Sequence, residues 1–155
     1  MLEGYIVDEM ANPTGTSLKS HIKARYRDLE RILGKPEESA EDKVSGSWTI
    51  VSEDGDVITL YDWKSTNRYA EGLPSVEAFR SSPIPQEFNI GARSLMVALE
   101  FKEALEKELA RAGVSAALAK AGIKVNDYQI SAKDLQLAKK IVMAAHVRNT
   151  PPKKK

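Results

Sequence analysis

Side chains suited to binding an anion follow one another in the stretch Asn89-Ile90-Gly91-Ala92-Arg93-Ser94, at the start of a predicted helix. A helix start carries unpaired backbone N–H groups and the positive end of the helix dipole. Gly91 and Ala92 would let a ligand approach the backbone closely, Arg93 offers a two-pronged guanidinium, and Ser94 offers a hydroxyl. We therefore predict a phosphate site here, with Asn89 binding a ribose or base. The alternative is an ordinary turn in which the strand stops at Gly91 and Arg93 is solvated.

A second group of candidate ligand-binding residues follows the predicted strand that ends in Tyr61-Asp62-Trp63-Lys64. Aromatic rings stack on nucleobases, so Tyr61, Trp63 and Tyr69 are candidates for stacking, and Lys64 is a candidate for contacting phosphate. Arg68 in the same loop and Arg25 on the first predicted helix would add positive charge, including from a neighbouring subunit. The competing interpretation places Tyr61 and Trp63 in the core and Lys64 on the surface.

The remaining titratable residues form no catalytic or metal-binding pattern. The two histidines, His21 and His146, lie far apart in the chain, and the carboxylates are concentrated in predicted turns. The absence of cysteine excludes disulfides and thiolate metal sites. We predict that the protein is not an enzyme and uses no cofactor and no metal.

Composition indicates a globular protein without a general nucleic-acid-binding surface. The 155 residues include 42% hydrophobic and 29% charged side chains, and the net charge is +1. The three terminal lysines (153–155) contribute +3 to that charge, which leaves −2 for residues 1–152. Nucleic acid is therefore not an expected partner. The chain shows neither a signal peptide nor an apolar run that could span a membrane, so we expect no membrane partner and a cytoplasmic location.

Periodicity and turn residues predict most elements of the first hundred residues. Strands are expected over 2–7 and 17–23, with Leu18, Ser20 and Ile22 on one face. A hairpin is expected from strands 44–52 and 57–63, joined by an Asp-Gly turn. A short helix should begin near Tyr26 and end at Gly34, and a last short strand should cover 88–90. Residues 35–43 and 64–86 are expected to be loops.

Helices dominate the rest of the sequence. A long helix is expected over 93–112, ended by Gly113, and its apolar stripe would form either core or a homodimer seam. The stripe consists of Leu95, Leu99, Leu105 and Leu109. A short helix over 114–121 should end at Gly122, and a last helix should begin at Ser131.

Together these elements predict an α+β fold. It would have a small antiparallel sheet with a central hairpin, packed by one short and one long helix, plus a helical C-terminal extension. The corresponding domains are a ligand-binding domain over 1–113, a helical extension over 114–150 that packs on it, and a disordered basic tail over 151–155.

The first part of the sequence contains a series of motifs: Thr14-Gly15-Thr16-Ser17-Leu18, Leu33-Gly34-Lys35-Pro36, Lys43-Val44 with Trp48, Asp54-Gly55, Thr59-Leu60-Tyr61-Asp62-Trp63-Lys64 and Glu87-Phe88-Asn89-Ile90-Gly91. Together they resemble a family of small proteins that is widespread in bacteriophage genomes, and the resemblance covers roughly residues 2–110. In that family the last of these motifs more often reads Trp-His-Ile-Gly-Gly. Here Phe88, Asn89 and Ala92 occupy the Trp, His and second Gly positions, so a role of that histidine does not carry over.

The family is similar to the phage Thoeris anti-defence proteins, which bind cyclic nucleotide-derived immune signals such as cyclic ADP-ribose isomers without cleaving them. The resemblance implies a homo-oligomer with pockets lined by aromatic residues and arginines. It leads to the expectation of a phage-encoded protein that sequesters a phosphate-bearing small molecule in the cytoplasm of the infected bacterium. Two other functions stay open: a protein–protein inhibitor of a host enzyme, and a nucleic-acid-binding phage accessory protein.

Overall fold

The computed structural model describes residues 2–122, and this part of the chain has the predicted α+β architecture. The chain divides into two compact units, Met1–Glu108 and Leu109–Lys155. The described elements are β1 (Tyr5–Val7), β2 (Ser17–Ala24), α1 (Tyr26–Leu33), β3 (Glu37–Glu38), β4 (Gly46–Ser52), β5 (Val57–Tyr61), α2 (Val76–Ser81), β6 (Gln86–Ala92) and α3 (Leu95–Lys120).

The six described strands form one antiparallel sheet in the order β1-β4-β5-β6-β2, and β3 also pairs with β4. The predicted hairpin of β4 and β5 lies at the centre of this sheet. Its turn contains Gly55 in the left-handed conformation, with φ at 84°, which explains the glycine of the Asp-Gly pair. The predicted central hairpin is thus confirmed.

Aromatic side chains fill the space between one face of the sheet and the short helices. The ring of Tyr26 on α1 lies 5.5 Å from Trp48, 6.1 Å from Phe79 and 6.3 Å from Phe88, measured between ring centroids. The indole Nε1–H of Trp48 donates to the carbonyl of Gly34 at 2.8 Å, so this large side chain is buried without an unpaired donor. These contacts place α1 and α2 on the Trp48 face of the sheet.

The first helix has the predicted bounds, and the long helix does not. Gly34 ends α1 with φ at 83° and donates its N–H to the carbonyl of Glu30 at 2.8 Å. Gly113 was expected to end the long helix, but α3 continues to Lys120. A glycine inside a helix costs about 1 kcal/mol without breaking its hydrogen bonds, and good helix formers follow this one. The helix stops just before Gly122, whose φ is 76°.

As a core stripe, the predicted apolar stripe of α3 is wrong in its phase, whereas the alternative of a homodimer seam stays a prediction. Leu105 is buried as expected, but Leu95 is 53% and Leu99 is 42% exposed. The buried side chains of this part of the helix are Ala98, Phe101 and Leu105, and the ring of Phe101 packs edge-on against Tyr5 of β1 at 5.3 Å. Ala98 and Phe101 share a helix face with Leu105, and a stripe made of leucines alone does not include them.

A bulge in β2 overturns the predicted strand face. Leu18 pairs with Gly91 and Ser20 pairs with Ile90, so Lys19 is an extra residue between them. Because one inserted residue reverses the side-chain alternation, Leu18 lies on the face opposite to Ser20 and Ile22.

Two short elements lie where loops were predicted. The strand β3 falls within 35–43, and α2 falls within 64–86. The hydroxyl of Ser75 caps α2 by accepting the N–H of Ala78 at 3.0 Å.

Two predictions lie outside the described residues: the helix beginning at Ser131 and the tail over 151–155. Within residues 2–122, no helix is long and apolar enough to cross a membrane.

Candidate ligand-binding site

Three side chains form a row across the sheet face that lies opposite Trp48. Tyr61 of β5 is the cross-strand partner of Asn89 in β6, and Asn89 is in turn the partner of His21 in β2. Directly paired residues of antiparallel strands point to the same face, so these side chains are neighbours. Asn89 is buried, whereas His21 is exposed. The row brings two of the predicted ligand-binding residues, Tyr61 and Asn89, to one surface.

The row forms part of a cavity of about 480 Å³ on this face. Trp63, another predicted residue, lies at its border, and the ring of Trp63 is in edge-on contact with that of Tyr61 at 6.3 Å. The size is within the range of small-molecule sites. The lining side chains are Leu18, His21, Tyr61, Trp63, Ser65, Glu87 and Asn89.

Two lysines and two aromatic rings continue this surface beyond the end of β5, and we call them the cation–aromatic cluster. The ammonium of Lys64 lies 5.7 Å from the ring of Trp63 and 5.1 Å from that of Tyr69. The ammonium of Lys43 lies 5.8 Å from the Trp63 ring. Trp63 is 43% and Tyr69 44% exposed, so neither ring belongs to the core. Trp63 therefore belongs both to the cavity and to this positively charged cluster.

The buried carboxylate of Asp62 positions Trp63. It accepts the backbone N–H groups of Ser45 and Gly46, at 2.8 and 3.2 Å, and the Ser45 hydroxyl. Because Asp62 points inward, its neighbours Tyr61 and Trp63 point to the other face, as the predicted strand alternation requires.

The backbone of the cluster is held in an unusual conformation. Lys64 has φ at 55°, in the left-handed region that non-glycine residues rarely adopt. Its N–H donates to the carbonyl of Lys43 at 2.7 Å, which joins the two lysine-bearing loops. Arg68, predicted to contact ligand, instead donates to the carbonyl of Ser39 at 2.7 Å and adds a second connection between these loops. The two lysines are thus brought to one ring by backbone contacts.

An ion pair on the opposite side of β4 supports the same loop. The guanidinium of Arg80 donates two hydrogen bonds to Glu38, at 2.6 and 2.9 Å, and one to the carbonyl of Ser45 at 3.2 Å. The hydrogen bonds from Arg80 lower the pKa of Glu38, and those same bonds raise the pKa of Arg80. Arg80 also lies over the ring of Tyr26, and burial raises the pKa of that phenol. These contacts hold the start of β4 in place. Ser45, which directly precedes β4, in turn donates hydrogen bonds to Asp62.

The predicted phosphate residues lie at the end of β6, where Arg93 and Ser94 contact the chain itself. Arg93 donates to the carbonyls of Thr14 and Asn12, both at 3.0 Å. The hydroxyl of Ser94 accepts the N–H of Val97 at 3.2 Å and so caps α3. The guanidinium therefore holds the loop between β1 and β2, and the serine satisfies a helix-end donor.

Gly91 does not end its strand, contrary to the prediction. It and Ala92 are buried residues of β6, and Gly91 pairs with Thr59 on one side and Leu18 on the other. A Cβ atom at Gly91 would lie 2.3 Å from the Thr59 hydroxyl. A glycine is therefore needed here because any larger side chain would collide with Thr59, and not because the chain turns at this point, as the sequence predicts.

Arg25 is not among the residues that line the cavity. Its Nε–H donates to Asp28 at 2.8 Å, and Asp28 also receives a hydrogen bond from Arg31 at 3.0 Å. Both pairs are three residues apart, one starting from the residue before α1 and one within α1, and pairs at this spacing stabilise a helix locally.

Five residues near the site were not predicted from the sequence: Leu18, His21, Lys43, Ser65 and Glu87. The bulge at Lys19 brings Leu18 to this face, and strand pairing brings His21 beside Asn89. The alternation of side chains along β6 that places Asn89 on this face also places Glu87 there. Of the unpredicted residues, Glu87 is therefore the one that this alternation could have assigned to the site.

Among the described residues, no group of three or more histidine, cysteine, aspartate or glutamate side chains is placed to hold a metal ion. No protein-family model matches the chain, and none of the curated proteins is significantly similar to it.

Proposed function

We propose that this protein binds a nucleotide-type ligand at the cavity bordered by Trp63 and retains it without cleaving it. The observation that carries the proposal is that Trp63 has two kinds of neighbour. It borders the cavity, and the ammonium groups of Lys43 and Lys64 lie against its ring. Nucleotides combine a flat ring with an anionic phosphate, and sites for them combine aromatic rings with cations.

Each group of the site has a distinct role in this proposal. Trp63 stacks on the base, which requires a lysine to move off the exposed ring. The amide of Asn89 donates to and accepts from the base edge or ribose. Lys64 and Lys43 contact phosphate. Arg93 and Ser94 are left out of the proposed site, because their side chains already have partners within the chain.

The biological setting that we propose follows from the resemblance to the phage family. A non-catalytic nucleotide site suits an anti-defence protein that removes a cyclic nucleotide-type immune signal, such as a cyclic ADP-ribose isomer, from the cytoplasm of an infected cell. Homo-oligomerisation is part of the proposal. The exposed Leu95, Met96 and Leu99 at the start of α3 offer an apolar surface for it.

Isothermal titration of the purified protein against cyclic nucleotides, cyclic ADP-ribose isomers and AMP tests the proposal, with chromatography of the ligand afterwards. We expect binding, recovery of intact ligand, and at least a tenfold loss of affinity in Trp63→Ala, equivalent to about 1.4 kcal/mol. Arg93→Ala is the matched control and should bind as the wild type does.

Two other outcomes of the titration would contradict the proposal. Absence of binding to every compound would overturn the proposal. Degraded ligand would make the protein an enzyme, with His21 and Glu87 as the acid–base candidates because both line the cavity.

The same exposed leucines support a second candidate function, a protein–protein inhibitor of a host enzyme. A surface of Leu95, Met96 and Leu99 would then bind the host protein. Leu99→Glu should abolish inhibition of that enzyme in this case, and it should leave nucleotide binding unchanged if the first proposal is right.

A further inference from the structure

Among the described residues, one carboxylate lines the cavity bordered by Trp63, and it belongs to Glu87. Glu87 and Asn89 are two residues apart in β6, so their side chains leave the same face of the strand roughly 7 Å apart. Asn89 is buried and Glu87 is exposed, which places the amide at the floor of the cavity and the carboxylate nearer to solvent. The two side chains together offer an amide and a carboxylate to one edge of a ligand.

Trp63 lies at the same end of this face as Glu87. Tyr61 and Asn89 are paired residues of the antiparallel strands β5 and β6. Trp63 comes two residues after Tyr61. Glu87 comes two residues before Asn89, which is the same direction because the strands are antiparallel. A base that stacks on Trp63 is therefore adjacent to Glu87.

The carboxylate of Glu87 is available to accept a hydrogen bond. Its side chain makes no hydrogen bond or ion pair with another residue in the described part of the chain. Its cross-strand partner Lys23 is exposed, and a pair of exposed side chains is weak and leaves carboxylate lone pairs free for other donors. Because a carboxylate repels phosphate, the part of the ligand that meets Glu87 is a hydrogen-bond donor.

The order of groups in a nucleotide indicates which donor this is. The ribose links the base to the phosphate, and in the proposed site the phosphate lies with Lys43 and Lys64, beside the exposed ring of Trp63. The outer edge of the base is then the part that meets Asn89 and Glu87. An exocyclic amino group on that edge donates to the carboxylate, and its neighbouring ring atoms bind the amide.

We infer that the ligand carries a base with an exocyclic amino group, which donates to Glu87 while Asn89 contacts the same edge. This rests on the proposed nucleotide site and deepens it by naming the class of base. Adenine and guanine both carry such a group. The inference therefore agrees with the cyclic ADP-ribose isomers, whose base is adenine.

Two pairs of nucleotides test the inference, because the members of each pair differ by the amino group alone. They are AMP with purine riboside 5′-monophosphate, and GMP with IMP. We expect the amino compound of at least one pair to bind at least fivefold more tightly than its partner, equivalent to about 1 kcal/mol. The pair that shows this difference identifies the base. Equal binding within both pairs would overturn the inference.

A substitution of Glu87 provides the second arm of the test. Glu87→Gln keeps the size of the side chain and removes its charge, so it should remove most of the advantage of the amino compound without weakening the binding of its partner. A ratio of two affinities does not change when some of the protein is merely unfolded. Glu77→Gln makes the same substitution at an exposed position of α2 outside the cavity, and it should leave the ratio unchanged.

The variant Lys23→Gln separates a direct contact from an effect of the neighbouring lysine. The preference for the amino compound should persist in this variant. Its loss would overturn the inference, because Glu87 would then act by positioning Lys23.

These measurements also distinguish failure of the inference from failure of the proposed function. Binding of the nucleotides without an amino preference would overturn the role of Glu87 alone. Absence of binding by all four nucleotides would overturn the nucleotide site as well.

Discussion

The carboxylate of Asp62 and the residue Ser45 are joined through both the backbone N–H and the hydroxyl of the serine. This contact connects the end of β5 to the beginning of β4, on the buried side of the sheet. Asp62 is 1% exposed, and Gly46 supplies a further N–H. A buried carboxylate that accepts several hydrogen bonds is a strong local constraint, because removing it leaves its donors unpaired.

Substitution of Asp62 should therefore affect stability in a graded manner. Asp62→Ala leaves two buried N–H groups without an acceptor and should lower the free energy of unfolding by roughly 3 kcal/mol. Asp62→Asn keeps one carbonyl oxygen for those N–H groups, and its amide can donate to the Ser45 hydroxyl, so a loss of about 1 kcal/mol is expected. Urea denaturation of the two variants measures the difference.

The variant Ser45→Ala is the control for Asp62. It removes only the hydroxyl and keeps both backbone donors, so its effect should be smaller than that of Asp62→Ala. Equal stability of Asp62→Ala and Asp62→Asn would contradict the role assigned to the carboxylate.

A second prediction concerns the contact between Gly91 and Thr59. Gly91→Ala places a methyl group 2.3 Å from the Thr59 hydroxyl, so either the threonine side chain or one of the two strands must move. We expect a loss of about 1–3 kcal/mol in the free energy of unfolding, as is usual for overpacking.

A double-mutant cycle decides whether that contact is the cause. Thr59→Ala removes the hydroxyl, and the Thr59 Cβ lies at an ordinary 3.7 Å from the added methyl position. The double variant should therefore recover most of the stability lost in Gly91→Ala, giving a coupling energy well above 0.5 kcal/mol. Additive effects would show that the glycine is needed for another reason.

Sequence patterns were sufficient for contacts within an element or between neighbouring elements, and insufficient for contacts between distant ones. The hairpin of β4 and β5, the end of α1 at Gly34 and the outward position of Trp63 follow from local turn residues and alternation. The position of Leu18 does not, because one bulged residue reverses its face. Nor does the role of Gly91, which depends on a threonine 32 positions earlier in the chain.

Arg93 shows the same limit at the predicted phosphate site. An arginine at a helix start is suited to an anion, but here the carbonyls of Thr14 and Asn12, about 80 residues away, accept its hydrogen bonds. The sequence identified a residue with the right chemistry, and tertiary structure determined its partner.

A third prediction follows for Arg93. Arg93→Ala should release the loop that precedes β2, because Thr14 and Asn12 lose their donor. Removing hydrogen bonds of this kind costs about 1 kcal/mol, and amide hydrogen exchange of the loop should accelerate relative to β5. Nucleotide affinity should not change. A large loss of affinity with unchanged hydrogen exchange would restore Arg93 to the binding site.

The last prediction concerns acid stability and the ion pair of Glu38 with Arg80. Arg80 lowers the pKa of Glu38 in the folded protein, so the folded state favours the ionised carboxylate. The contribution of this pair is therefore complete above the ordinary glutamate pKa of about 4.3, and it is lost as the pH falls through the lower folded-state value. Glu38→Gln should be less stable than the wild type at pH 7, and the difference should narrow as the pH falls below the ordinary glutamate pKa. Glu41→Gln, at an exposed glutamate in the loop that follows β3, should not reproduce this convergence. Urea midpoints measured from pH 7 to pH 3 test it, and a constant gap between wild type and Glu38→Gln would show that Arg80 binds the neutral side chain equally well.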